Sequence, residues 1–490
     1  MYVARRRAGK ALKRPGEAWY HSSMPRLAVL AALPLALSLC SRGAAAPRLE
    51  RAESTLVYPD FWHTPLGIHR GTPELLELLL GGRARFDDPE GVACVHMAED
   101  GLDTPQITAF GVNRGASQLL YNPDLRSLEI FGRPGSGKDA FDHPTGVACL
   151  ADGSVAVADT GNDRIVLLDY HRGELAWKAA FGGPGAEPGS FSSPEGVALD
   201  SSGKIYVADT GNNRIQVFTR DGRLVRFFGG DRGANNAVVR PRALAVVDPE
   251  EPYAVEPEGA LFVVDLDGRR IQKFGLDGSF QGQALAADVG RPAVDFAALA
   301  LDYFDNVWVT DRANGQIHKF DAHLRWVASW GRPGQGDGTL DDPRGIAIYR
   351  RFGQVLVLER ESAQYLWIGA DVKELRFSRT DWTPGLRIDW RLTERAWVDA
   401  WIEDADGKRV ATLLKHRFLL QGDQTLRWNG SLDAGSPAEA GRYELVLQSE
   451  AGYSSAAYVK REIRRRFLIP RGPGLSLFPS SVRSSAEGVR

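Results

Sequence analysis

"VALDSSGKIYVADTGNNRIQVFTRDGRLVRFFGG" occupies residues 197–230, and "VACLADGSVAVADTGNDRIVLLDYHRGELAWKAAFGG" occupies residues 147–183. Both run from a Val-Ala strand through a Gly turn, a second strand ending in Ala-Asp, a Thr-Gly-Asn turn and an arginine to a closing Phe-Gly-Gly. A chain that writes one plan twice at a spacing of fifty residues stacks copies of one unit.

Further copies emerge on alignment to the proline of F-x-x-P-x-G-V-A. They read "FDDPEGVAC" at 86, "FDHPTGVAC" at 141, "FSSPEGVAL" at 191, "VVRPRALAV" at 238, "AVDFAALAL" at 293 and "LDDPRGIAI" at 340. The anchors fall at 89, 144, 194, 241, 296 and 343, with Phe296 in place of proline. A period of 47–55 residues with strand-like content is that of four-stranded propeller blades. Four residues past each anchor stands an alanine: Ala93, Ala148, Ala198, Ala245, Ala300 and Ala347. Two past it is always Gly or Ala, and three past it is Val, Leu or Ile. Alternate residues of a strand share a face, so each inner strand has one small and one bulky face, suited to nesting around an axis.

The remaining segments follow the same plan. Second strands end in an acid at Asp159, Asp209, Asp265, Asp311 and Glu359, and third strands begin with Arg164, Arg214 and Arg270 in three copies. Acid and base flank one hairpin, which predicts an ion pair inside each blade. The TGND and TGNN turns are expected to use Gly and Asn for left-handed backbone. Gly-rich loops then lead to the next anchor, which lies twelve residues past the Gly of FG or WG in four copies. They lack the strand-helix context of a dinucleotide site. Cys94 and Cys149 occupy the bulky-face position of successive blades, one sheet spacing apart, and read as buried free thiols.

Anchor motif, "VADTGNNRI" and "FGxxG" together resemble the NHL repeat, over residues 72–372. The resemblance implies a six-bladed β-propeller, with a degraded first copy that keeps no DTGN turn over 98–125. The last blade lacks a fourth strand, and "ELLELLLGG" at 74–82 is expected to supply it. The competing reading is a short helix, because "TPE" is a good helix start and Gly81 a good stop.

From 373 to 466 short alternating strands and Gly-rich turns predict a second all-β domain, a sandwich. "DADGKRVATL", "LRWNGSLDAG" and "AGRYELVL" resemble the FlgD-like immunoglobulin-type domain of exported bacterial proteins, with Trp428 as core anchor. That resemblance implies a docking module. "KREIRRR" at 460–466 reads as a solvated basic end, and the Ser/Gly/Pro-rich tail from 467 to 490 as disordered.

Residues 1–46 resemble a secretory signal: Arg26, an apolar run at 27–39 and "AAA" at 44–46, with Met24 an alternative start. Residues 47–71 form an extension. The expected location is therefore the periplasm, the cell envelope or outside a bacterium, with membrane attachment only through an uncleaved signal or a lipid. Leu39 is not the small residue a lipoprotein signal places before its cysteine, which argues against lipid on Cys40. The whole chain has net charge −2, and the first 46 residues carry eight Lys/Arg and one acid. The remainder is more acidic, which argues against nucleic acid as a partner despite the arginines of 220–242.

Ligands meet propellers at the channel mouth. The residues flanking the anchors predict that mouth: Glu90, His143, Thr145, Glu195, Arg240, Arg242, Asp295, Asp342 and Arg344. Mixed charge suits a protein, peptide or glycan ligand held by charge-assisted bonds. The alternative is a metal-dependent propeller enzyme, resembling peptidyl-hydroxyglycine lyases or lactonases. Zinc needs three or four converging ligands, and no equivalent position carries His in three blades. Calcium wants an acidic cluster, whereas here signs alternate. The reading is a non-enzymatic binding scaffold with no catalytic or metal residue assigned.

Overall fold

The computed structural model describes residues 55–59, 69–97, 106–124, 127–230, 237–250, 254, 256–379, 385–453 and 460–469. The expected signal segment, Cys40 and the tail from 470 lie outside these residues.

The described chain is almost entirely β. Six antiparallel sheets follow one another, and these are blades 1 to 6. Their inner strands are Pro89–Val95, Val147–Cys149, Pro194–Leu199, Ala243–Val247, Phe296–Leu301 and Gly345–Tyr349. Each inner strand lies beside that of the next blade, and the last lies beside the first, so the sheets close into a ring. The six alanines sit at one depth. Ala93 pairs with Phe110, Ala148 with Ala156, Ala198 with Tyr206, Ala245 with Phe262, Ala300 with Trp308 and Ala347 with Leu356.

Crowding at the axis explains the small residue two past each anchor. A Cβ on Gly91 would stand 2.3 Å from the Thr145 carbonyl of blade 2, and one on Gly146 2.4 Å from that of Glu195 in blade 3. The ring of close approaches ends with Gly345, where a Cβ would stand 2.3 Å from the Glu90 carbonyl of blade 1.

The acid ending each second strand ties down the loop that enters its own blade. Asp159 accepts the backbone N–H of Asp142 at 2.7 Å, Asp209 that of Ser192 at 2.8 Å, Asp265 that of Val239 at 3.1 Å and Glu359 that of Asp341 at 2.8 Å. The expected ion pair is present in blades 2, 3 and 4, as Asp159–Arg164 at 2.7 Å, Asp209–Arg214 at 2.7 Å and Asp265–Arg270 at 2.6 Å, whereas blade 1 carries the neutral Asn113 in place of the acid. Arg214 also donates to the carbonyls of Ala186, Glu187 and Ser190, so the pair clamps the Gly-rich loop. The turn glycines serve a different purpose from the one expected. The left-handed residues are Asp163 and Asn213, at φ 50° and 56°. Gly161 and Gly211 are small because that loop passes over them: a Cβ would meet Asp142 at 2.6 Å and Ser192 at 2.3 Å.

Ring closure corrects the sequence reading. Pro73–Leu80 is a helix rather than a strand. Thr72 Oγ1 accepts from the Leu75 N–H, Pro73 opens the first turn, Gly81 is left-handed at φ 59°, and Leu76 and Leu80 face inward. Those caps outweigh the strand-like leucine content. Blade 6 instead takes its outer edge from Leu56–Val57 and Arg70–Gly71, both paired with Ala363–Ile368. Arg70 lies 3.1 Å from Glu359 and so supplies the cation that blade 6 lacks.

Residues beyond the ring form a sandwich of two antiparallel sheets. Val372–Arg379, Leu386–Leu392 and Gly422–Trp428 pack against Arg409–Leu419, Ala396–Glu403, Gly441–Ala451 and Lys460–Ile469. Trp428 lies in its core. The last strand runs past the expected boundary at 466 because Phe467 and Ile469 are buried. Its basic end is solvated, as expected, and partly ion-paired: Arg464 lies 2.7 Å from Glu403, and the exposed Arg466 3.1 Å from Glu444.

Ring and sandwich meet at a buried polar cluster. Lys319 Nζ of blade 5 lies 2.5 Å from Glu394, donates to the Thr393 carbonyl at 3.1 Å and stands 3.6 Å from Asp302. Burial pushes the Glu394 carboxyl up to about 7 despite the pull of Lys319.

Two outcomes test these supports by urea denaturation. Arg214→Met leaves Asp209 buried and unpaired, and is expected to cost about 3–5 kcal/mol. Lys319→Met is expected to cost a similar ~3–5 kcal/mol by stranding Glu394, and Lys319→Met with Glu394→Met to recover most of it.

Candidate functional site

Within the ring's central channel lies a cavity of about 240 Å³. Its floor is the small and apolar inner-strand residues, among them Gly91, Gly146, Gly196, Val197 and Leu299. Its polar lining is Glu90, Arg114, Thr145, Thr160, Glu195, Arg242, Arg312 and Arg344. Five of the nine expected mouth residues therefore line it: Glu90, Thr145, Glu195, Arg242 and Arg344.

Asp295 and Asp342 stand behind the lining and hold its arginines. Asp295 accepts from Arg242 Nη1 at 2.8 Å, and Asp342 from Arg312 Nε at 2.7 Å and Arg344 Nη2 at 3.0 Å. His143 and Arg240 turn outward, with side chains 58% and 55% exposed against 10% for Arg344. His143 pairs with Asp142 at 2.6 Å and Arg240 with Asp267 at 2.5 Å. Arg220 and Arg223, from the same basic stretch as Arg240 and Arg242, also pair with acids, Asp152 and Asp221. Arg232 lies outside the described residues.

The residue before the anchor shares one backbone shape in five copies. Asp88, His143, Ser193, Arg240 and Asp342 all have φ between 45° and 55°. Five repeats of one uncommon conformation mark it as part of the fold's turn into the axis rather than a local device.

The charged groups form a chain through the mouth. Arg114 bonds Asp88 at 2.5 Å, Asp88 bonds Arg344, and Arg344 bonds Asp342. Asp342 then holds Arg312, which reaches Asp295 at 3.9 Å; Asp295 holds Arg242, which reaches Glu195 at 3.8 Å. This chain passes through blades 1, 6, 5, 4 and 3. Blade 2 adds two hydroxyls to the lining, Thr145 and Thr160, 2.7 Å apart. Thr145 also donates to the Glu195 carbonyl at 2.8 Å and Thr160 to the Pro194 carbonyl at 2.8 Å. The arc of charge thus ends in blade 1, at Arg114 with Glu90 beside Arg344 at 3.7 Å, and in blade 3, at Glu195 beside Arg242, with the hydroxyls of blade 2 between.

Electrostatics separate the acids into two kinds. Burial raises the carboxyls of Glu90 and Glu195, and Arg344 and Arg242 only partly offset it; each also feels neighbouring negative charge, Glu195 that of Glu90. Asp342 is also pushed upward by burial, but its bonds from Arg312 and Arg344 outweigh that and hold it low. The arc therefore presents fixed cations and two acids that take up protons readily for carboxyls.

Sequence reasoning missed Arg114, Thr160 and Arg312. Each directly follows the residue that ends a second strand: Asn113, Asp159 and Asp311. The register pairs anchor with that residue, as in Pro89 with Asn113 and Phe296 with Asp311, which brings the following side chain beside the mouth. For Thr160 alone the signal lies in the TGN turn, of which it is the first residue.

Cys94 and Cys149 are free and half-buried rather than fully buried. They share a strand face with Val92 and Val147, which line the cavity. Burial pushes the Cys94 thiol up to about 12 and raises that of Cys149 as well. Among the described residues no group of three His, Cys, Asp or Glu side chains is placed to hold a metal ion.

Residues 191–218, in blade 3, match the NHL repeat. Among solved structures the chain is similar to a streptogramin B lyase at 15% identity, covering 58% of this chain and 94% of that one, with a TM-score of 0.40. It is similar to a catalytically inactive virginiamycin B lyase from Staphylococcus aureus with quinupristin, at 14% identity, 58% and 96% coverage and a TM-score of 0.39. PorZ, a surface component of the type-IX secretion system of Porphyromonas gingivalis, matches at 12% identity, 76% and 59% coverage and a TM-score of 0.36. No curated protein matches. The chain is an all-β propeller protein carrying an NHL repeat.

The raised acid at Glu195 has a measurable sign. A carboxyl raised on folding adds nothing to instability while protonated in both states, and destabilises as pH rises through its folded value. Glu195→Gln removes that loss. Its melting temperature relative to the parent is therefore expected to be higher at pH 7 than at pH 4, by differential scanning calorimetry.

Proposed function

We propose that the protein is a non-enzymatic binding scaffold whose channel mouth grips a polar, charge-bearing tip presented by a protein, peptide or glycan. The observation that carries this is the arc of ion-paired arginines and acids around a cavity of about 240 Å³. Arg242, Arg312 and Arg344 are held by acids behind or beside them, so their remaining donors are oriented before a ligand arrives. Pre-set donors lower the ordering cost of binding and favour recognition by geometry. The two ends of the arc, Glu90 and Glu195, add acceptors, and Thr145 and Thr160 add hydroxyls. Donors and acceptors side by side suit a ligand carrying both signs or many hydroxyls. A cavity of this size takes a tip rather than a whole domain.

On this reading the sandwich is a FlgD-like immunoglobulin-type module that docks the propeller to a partner or surface. Export to the periplasm, envelope or medium is supported by the signal-like layout of residues 1–46. The metal-dependent enzyme remains the competitor by resemblance.

Purified protein incubated with peptide and glycan arrays tests the proposal. Binding is expected to fall at least tenfold in Arg242→Glu and in Glu195→Gln, and to persist in His143→Ala, whose side chain faces outward. Array hits unchanged in both mouth variants would overturn it. So would stoichiometric zinc or calcium that resists dialysis, together with turnover lost on its removal.

A further inference from the structure

A second cavity lies where blade 1 differs from the other five blades. The equivalent face of blades 2 to 6 is built alike. Two before the acid of the second strand stands Val157, Val207, Val263, Val309 or Val357, and two residues earlier Val155, Ile205, Leu261, Val307 or Val355. The cross-strand partner of that second position is Leu168, Phe218, Phe274, Phe320 or Leu366. Blade 1 has Gly111, Ala109 and Asn122 at those three places. All three are reduced or polar on one face of one sheet.

Asn122 does not fill the gap. Its Oδ1 accepts the Ala109 N–H at 2.6 Å and its Nδ2 donates to the Ile107 carbonyl at 3.2 Å, so the amide folds back on its own sheet. Gly111 is not imposed by backbone or crowding. It is absent from the positive-φ residues, and a Cβ there would meet nothing nearer than 3.9 Å, the neighbours being the Leu120 carbonyl and Leu358 Cδ1. The result is an apolar cavity of about 180 Å³ at the seam of blades 6 and 1. Leu356 and Leu358 of blade 6 face it, and Leu76 of the helix Pro73–Leu80 joins Phe86 and Leu128 in lining it. The amide of Asn113, which also borders it, is committed to the Asp87 N–H and the Arg85 carbonyl, both at 2.7 Å.

We propose that this seam is a binding site for a hydrocarbon group of about six carbons, a ring or the end of an acyl chain. The truncations create space where the other blades place side chains, and an unfilled apolar space forfeits packing. The walls offer contact but no uncommitted amide, so a polar ligand would lose its hydration without compensation. The helix bordering the site turns Leu78 and Leu79 to solvent, 78% and 59% exposed, which gives an apolar approach beside it.

Toluene and octanoate, added separately to the purified full chain, test the site by thermal shift and ligand-observed NMR. Toluene stands for a ring, octanoate for a chain end. One or both are expected to raise the melting temperature by about 2 °C at saturating concentration, and the one that does names the ligand shape. Gly111→Val restores the side chain of the other blades. It is expected to keep or raise the unliganded melting temperature and to weaken binding at least tenfold. Ala109→Val, on the same face, reads the same site should Gly111→Val not fold. Glu195→Gln in the channel is expected to leave probe binding unchanged. Absence of binding by either probe, or binding equally strong in the valine variants, would overturn the proposal.

Discussion

The ring depends on a buried carboxylate at the end of the second strand. Each must bind the N–H of a loop that arrives from the previous blade, and a charged oxygen binds an amide N–H more strongly than a neutral one does. The cost is a charge taken out of water, which the fold offsets with an arginine from the adjacent strand. That arginine in turn reaches the carbonyls of the same loop, as Arg164 does at Ser136, Gly137 and Ala140. Acid and base together close both hydrogen-bonding ends of one loop. The partner of the acid differs in the remaining blades. Blade 5 uses His318 against Asp311 at 3.1 Å, and blade 6 borrows Arg70 from the closing segment. In blade 1 the single amide of Asn113 both accepts from the Asp87 N–H and donates to the Arg85 carbonyl, doing with one neutral group what blades 2 to 4 do with two charges.

The channel mouth is built on that clamp. The loop it fixes ends at the anchor, and the residues on either side of the anchor are those that meet at the axis. Because the clamp repeats six times, the mouth receives one set of side chains from every blade at one height. The fold fixes only their position, so their chemistry is free to differ. Blades 1, 3, 4, 5 and 6 supply charges that pair across blade boundaries, and blade 2 supplies hydroxyls. An arc with two ends is directional where a complete ring of charge would not be, and the raised acids Glu90 and Glu195 stand at those ends.

Legibility followed the range of the interactions. The propeller was readable because its period, its Gly or Ala two past the anchor and its acid-to-arginine spacing are all local, and local rules repeat. Flanking the anchor was enough to find Glu90, Thr145, Glu195, Arg242 and Arg344 in the lining, but not to orient His143 and Arg240, whose outward turn depends on the acids Asp142 and Asp267 beside them. Arg114 and Arg312 were hidden because their approach to the mouth comes from cross-strand register, which no single segment displays. The closing strands were hidden for a stronger reason. Leu56–Val57 and Arg70–Gly71 are two residues each and pair with a partner about three hundred residues away, so neither carries a pattern of its own. The helix between them and blade 1 was legible through its caps alone.

Several departures of blade 1 from the repeat meet at one seam. Blade 1 replaces the clamp acid with Asn113 and carries Ala109, Gly111 and Asn122 where its siblings carry larger apolar side chains. Blade 6 meets it through Leu356 and Leu358, and the closing segment passes beside both. Relaxed selection on one worn copy would predict substitutions on both faces of the sheet. Yet the opposite face of blade 1 keeps Phe110, Val112, Leu119 and Tyr121 buried in a core shared with Val155, Val157, Val166 and Leu168 of blade 2. One face is buried against blade 2, and the other is opened by three smaller or polar residues that meet at one point. Each costs packing that a single larger side chain could restore, so their coincidence at the seam of blades 6 and 1 is what separates a formed site from a decayed repeat.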